Sequence, residues 1–183
     1  MKKLSREEEL QILNWVYSTI GSAFGRKEQE TPSVLETLPR CGAFVTLHLK
    51  ERLRGCIGFI EGREELRYSL KEAGHSAAFR DPRFPPLTEE EWEEADLEIS
   101  LLSPMEAVDS ADDLIMGTHG ALLESGIYRG LFLPQVATEQ GWDRDTFMDH
   151  LSMKAGLPAE FWRSGSYSLY SFTAQVFGMK KGS

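Results

Sequence analysis

Cys41 and Cys56 are the two thiols of this 183-residue chain, and only Cys56 stands in company suited to chemistry. Residues two apart in a strand share a face, so Arg54 could sit beside Cys56. A neighbouring guanidinium stabilises a thiolate and makes it nucleophilic. His48, on the preceding apolar segment, and His75, on the following one, could each serve as the base of a thiol–imidazole pair. The competing reading is that a free cysteine is usually buried and inert. Cys41 follows Pro39-Arg40 at what reads as a strand entrance, where neighbouring side chains point apart. Cys56 is therefore the expected site of unusual chemistry. Gly55 and Gly58 flank it, and a strand glycine marks either close backbone packing or room for a ligand. Both readings stay open.

A second set of candidates is charged. Asp81 and Arg83 flank Pro82 in a segment whose prolines forbid helix. An internal carboxylate–guanidinium pair holding that loop is the favoured reading. The alternative has Arg83 and Arg129 gripping a small anionic ligand, with Gln135 adding an amide contact. The four histidines show no ligand spacing and no Cys-x-x-Cys pair exists, so no metal is expected. Gly-rich phosphate loops, Ser–His–Asp signatures and dinucleotide fingerprints are missing, and no cofactor is expected. A net charge of −9 opposes nonspecific binding to nucleic acid or an anionic membrane. No apolar run follows Lys2-Lys3, and none approaches the roughly 18 residues of a membrane span. The expectation is a reduced cytoplasmic protein that binds neither nucleic acid nor membrane.

These residues must be positioned by regular elements. Residues 43–49 and 53–59 alternate as two strands joined by Lys50-Glu51-Arg52. Keeping both apolar sets on one side pairs Leu49 with Leu53 and Val45 with Ile57. Arg54 then lies opposite His48 and Cys56 opposite Thr46, all away from Leu53 and Ile57. Ser5 and Glu8 form a capping box before a helix with Leu10, Leu13, Val16, Tyr17 and Ile20 on its stripe, stopped by Gly21. A short helix runs from Pro32 toward Leu38. Residues 64–79 read as a helix with Leu66, Leu70, Ala73 and Ala77 inward. Thr88 and Glu91 form a second capping box. Residues 97–101 form a half-buried strand, and 119–124 with 127–133 a hairpin turning at Ser125-Gly126. Pro134 opens a helix ending near Gly141, Asp143 caps the next, and residues 166–177 form one last strand. Strand pairs separated by irregular helices indicate an α+β fold, one domain over residues 1–183.

Six ordered blocks resemble the AMMECR-type family, protein A of the AmmeMemoRadiSam system. They are Leu53-Arg54-Gly55-Cys56-Ile57-Gly58, Ala78-Phe79-Arg80-Asp81-Pro82-Arg83-Phe84 and Leu97-Glu98-Ile99-Ser100, then Arg129-Gly130-Leu131-Phe132-Leu133-Pro134-Gln135-Val136, Gly141-Trp142-Asp143 and Lys154-Ala155-Gly156-Leu157. The resemblance implies a mainly antiparallel α+β fold with a larger and a smaller subdomain flanking a cleft. It also implies a Memo-like protein and a radical SAM protein as partners. It leaves open thiol chemistry on a small anionic substrate and a non-catalytic partner-binding role. Many relatives are expected to carry a cysteine near Ser152, where this chain has serine.

Overall fold

The capping box at Ser5 starts the first helix as expected: Ser5 Oγ accepts from the Glu8 N–H, and the Glu8 carboxylate accepts from Ser5 N–H at 2.8 Å. This helix, α1 (Arg6–Gly21), buries Ile12, Leu13, Trp15, Val16 and Ile20, while Leu10 is exposed. The inward stripe is thus rotated from the expected one, because Ile12 and Trp15 share it and Leu10 does not. The computed structural model describes residues 2–181, which divide between two compact units. The larger comprises the chain up to Leu102 and again from Gln175; the smaller is Ser103–Ala174.

In the larger unit, α2 (Val34–Thr37) precedes β1 (Ala43–Leu49) and β2 (Arg52–Phe59), followed by α3 (Leu66–Phe79), α4 (Glu89–Glu94) and β3 (Asp96–Leu102). With β8 (Ala174–Met179) the strands form a sheet of order β2-β1-β3-β8, leaving β2 at an edge. Ala43, Val45, Leu47, Leu97, Ile99 and Leu101 form one apolar face. They share a core with α1 and with Leu66, Leu70, Ala73 and Ala77 of α3.

The β1–β2 hairpin keeps Val45 opposite Ile57 and Cys56 opposite Thr46, as expected. Its near end differs. Lys50 and Glu51 alone make the turn, both left-handed with φ of 49° and 65°, so Leu49 pairs with Arg52 and His48 with Leu53. A two-residue turn of this hand matches the right-handed twist of the flanking strands. The register is then recovered by a bulge in which Arg54 is the extra residue. The bulge moves Leu53 to the Cys56 side, 40% exposed, and removes Arg54 from its expected place opposite His48.

In the smaller unit, β4 (Glu106–Val108), β5 (Gly120–Ser125), β6 (Tyr128–Phe132) and β7 (Ser168–Phe172) form a sheet of order β4-β7-β5-β6. Helices α5 (Pro134–Gln140) and α6 (Arg144–Lys154) accompany it. Pro134 opens α5, left-handed Gly141 closes it, and Asp143 caps α6. The core holds Leu123, Phe147, Met148, Leu151 and Leu169. Short 3-10 turns at Ala111–Asp113 and Ala159–Ser164 and the strand β4 carry no clear sequence signal. The single last strand expected over 166–177 is in fact two. Thr173 spends its N–H on Ser103 Oγ (2.9 Å) and its carbonyl on the Ser103 N–H (2.8 Å), so the ladder is interrupted there and β7 and β8 enter different sheets.

Candidate functional site

An edge strand has backbone groups with no ladder partner, and at Cys56 these are taken by the segment that follows α3. The Cys56 N–H donates to Asp81 Oδ2 at 2.9 Å, and the Cys56 carbonyl accepts from Arg83 Nη2 at 3.3 Å. Asp81 also accepts from the Arg83 backbone N–H (3.1 Å) and bidentately from Arg83 Nε (3.0 Å) and Nη2 (2.7 Å). This is the internal carboxylate–guanidinium pair favoured by the sequence. The Asp81 side chain is 2% exposed and that of Arg83 is 55% exposed. The Arg83 hydrogen bonds hold the Asp81 carboxyl far below the usual carboxylate range, outweighing its burial, and the Cys56 and Arg83 N–H groups add to this.

Cys56 is half-buried, and its Sγ accepts a hydrogen bond from Thr46 Oγ1 at 3.2 Å. The guanidinium that reaches Cys56 is that of Arg83, at the Cys56 carbonyl, and the Arg83 pKa is raised first by its hydrogen bond to Asp81. Arg54 plays another part. Its Nε and Nη2 bind Glu91 Oε1 (3.1 Å) and Oε2 (2.7 Å), with the Arg54 side chain 9% exposed. Glu91 is also the third residue of α4 and closes the Thr88 capping box, and Arg54 lowers its pKa. The bulge therefore turns Arg54 toward α4 rather than toward the thiol, correcting the expected Arg54–Cys56 pairing. The Phe84 ring lies within 5.9 Å of the Arg54 guanidinium and 5.5 Å of that of Arg83, so the two arginines share one aromatic neighbour.

The histidines stand apart from Cys56 in their contacts. His48 is on the Cys56 face of the sheet by register, across from Leu53 and Asp96. It lines an open groove of about 420 Å³ with Glu51, Asp96, Glu98 and Lys180. His75 packs on Phe79, ring centroids 4.8 Å apart. Among the described residues the only side-chain hydrogen bond to the Cys56 sulfur is that of Thr46. Cys41 is buried in the core, and burial pushes its thiol up to about 11.

Both glycines serve close packing. A Cβ on Gly55 would overlap the Ala77 carbonyl oxygen of α3 and lie 3.0 Å from its carbon. One on Gly58 would strike the Ala43 carbonyl and the Phe44 ring. Arg129 and Gln135 belong to the smaller unit. Arg129 is cross-strand from Glu124 and ion-paired with it. The Gln135 Oε1, near the start of α5, is buried without a hydrogen-bond partner among the described residues. Three residues at the Cys56 strand escaped the sequence reading as participants: Thr46, Glu91 and Phe84. Thr46 was legible from the register; Glu91 was already explained by its capping box.

Among the described residues no group of three His, Cys, Asp or Glu side chains could hold a metal, and no helix is long and apolar enough to cross a membrane. The Cys56 strand can present a hydrogen-bonded thiol near one solvent-facing guanidinium.

The sequence pattern of the AMMECR1 family matches residues 13–177, across both units. Protein MJ0810 of Methanocaldococcus jannaschii is 37% identical over 190 residues, covering 97% of this chain and 92% of that protein. A protein of Methanothermobacter thermautotrophicus is 44% identical over 163 residues, 86% of this chain and 84% of its own length. The crystal structure of the uncharacterised protein PH0010 from Pyrococcus horikoshii superposes with a TM-score of 0.87 at 33% identity, covering 100% of this chain and 97% of that one.

Proposed function

The chain belongs to the AMMECR1 family, and we propose that it carries a thiol-dependent site for a small anionic substrate, centred on Cys56. The observation that carries this reading is the contrast between the two cysteines. Cys56 is half-buried, its Sγ accepts from the Thr46 hydroxyl, and its carbonyl accepts from Arg83 Nη2. Cys41 is buried, with its thiol pushed up to about 11. Reactive cysteines sit in partly exposed surroundings with positive charge close by, whereas buried apolar ones are inert. Arg83 spends its Nε and Nη2 on Asp81 and the Cys56 carbonyl, leaving its Nη1 edge for an anion. His48, on the same sheet face, is the candidate base; Arg54 supports the strand through Glu91. Two free cysteines suit a reducing cytoplasm.

A second reading makes the chain a non-catalytic partner domain for a Memo-like protein and a radical SAM protein, in an AmmeMemoRadiSam module. It is favoured by Arg54 being tied to Glu91 and by neither histidine hydrogen-bonding to Cys56. Iodoacetamide labelling followed by peptide mapping separates the two. Under the first reading Cys56 labels in the folded protein near neutral pH and Cys41 only in denaturant. Cys56 labelling more slowly than Cys41 at every pH, or only on unfolding, sinks the first reading in favour of the second.

A further inference from the structure

We infer that Asp81 is a positioning residue for Cys56, holding the Cys56 peptide at the sheet edge and keeping Arg83 from acting fully on the thiol. The inference rests on the thiol reading above and deepens it: Asp81 binds no ligand but sets the geometry and charge that Cys56 experiences. Two independent contacts lead to it. Through its Oδ2, Asp81 takes the Cys56 N–H, an edge donor that would otherwise face solvent. Through both oxygens it takes the fork of Arg83, whose Nη2 also reaches the Cys56 carbonyl. Carboxylate and guanidinium thus occupy adjoining backbone groups of one residue, as a neighbouring strand would. They bring opposite charges to the same thiol.

The other charged or titratable groups around Cys56 are accounted for. From β1, His48 lies two residues beyond Thr46 on the same face; from β3, Glu98 lies across Thr46. On β2 itself Arg54 is bound to Glu91. Asp81 and Arg83 both grip the Cys56 backbone. An Asp81 that merely braced the loop would, on removal, loosen Cys56 in the same sense as removal of Arg83. A carboxylate offsetting a guanidinium predicts opposite senses instead.

The test compares wild type, Asp81→Asn, Arg83→Gln and the double variant by iodoacetamide labelling of Cys56 across pH, after circular dichroism has established that each is folded. Asp81→Asn removes the negative charge and leaves Arg83, so Cys56 should label several-fold faster at neutral pH with its midpoint moved down. Arg83→Gln should move the midpoint up and slow labelling; the double variant should return toward wild type. Shifts in the same direction, or none, overturn the inference. Arg83 is largely exposed, so Arg83→Gln carries its half of the test even if Asp81→Asn does not fold. A wild-type Cys56 that labels only in denaturant defeats the thiol reading rather than the positioning. The positioning is then decided by the Cys56 amide, whose hydrogen exchange must accelerate in Asp81→Ala; unchanged exchange overturns it.

Discussion

Replacing Gly55 by alanine separates its packing role from any role in leaving room for a ligand. The added methyl would overlap the Ala77 carbonyl oxygen, with the carbonyl carbon at 3.0 Å and the Ala77 Cα at 3.6 Å. All three are backbone atoms of α3, so no side-chain rotation relieves the clash. To reach ordinary van der Waals separation, β2 and α3 must part by roughly 1.5 Å. That opens the packing of Leu70, Ala73 and Ala77 against the sheet, all at 0–1% exposure. Overpacking of this kind costs about 1–3 kcal/mol, and a clash confined to backbone belongs at the upper end. For a chain of this length the melting temperature should fall by roughly 5–10 °C. Urea unfolding followed by tryptophan fluorescence is the assay, since Trp15 and Trp92 both lie in the larger unit. The urea midpoint should drop with the slope unchanged. Gly55→Ala within about 0.5 kcal/mol of wild type, the range of ordinary surface substitutions, would refute the packing account.

Asp81 and Glu91 both have folded-state pKa values lowered by arginine partners, so each stabilises the fold above the unfolded carboxylate range. That stability is lost as pH falls below about 5 toward the folded values, and urea midpoints should show Asp81→Asn with a shallower acid loss than wild type; an identical loss would remove Asp81 from the account. Ser152 is fully buried and its Oγ has no partner among the described residues, so Ser152→Ala should stabilise by about 1 kcal/mol in the same assay; a clear loss of stability would mean the hydroxyl has a partner. Lys50 and Glu51 hold left-handed conformations that cost non-glycine residues about 1 kcal/mol each. Lys50→Asn with Glu51→Gly should therefore raise the urea midpoint, and no gain would argue against strain in this turn.

Much of the fold was legible because local signals carried it. The capping boxes at Ser5 and Thr88, the Pro134 start and Gly141 stop of α5, and the α3 stripe all depend on residues within a turn or two of one another. Alternation alone put Val45 opposite Ile57 and Thr46 opposite Cys56, so the thiol's side of the sheet was determined by sequence. The ordered motifs carried family membership for the same reason. What alternation could not supply was the bulge at Arg54, since an inserted residue looks like any other strand residue until the turn geometry is known. That one residue sent Arg54 to Glu91, a partner 37 positions away whose capping role already explained it. The break at Thr173 was likewise hidden, because its backbone partner is Ser103, 70 residues earlier. Gly55 and Gly58 read equally as packing or pocket until Ala77 and Phe44 were seen against them. Local hydrogen bonds and period-two burial are written in adjacent residues. Which guanidinium reaches Cys56 depends on long-range closure, and only the tertiary structure brings Arg83, and not Arg54, to its carbonyl.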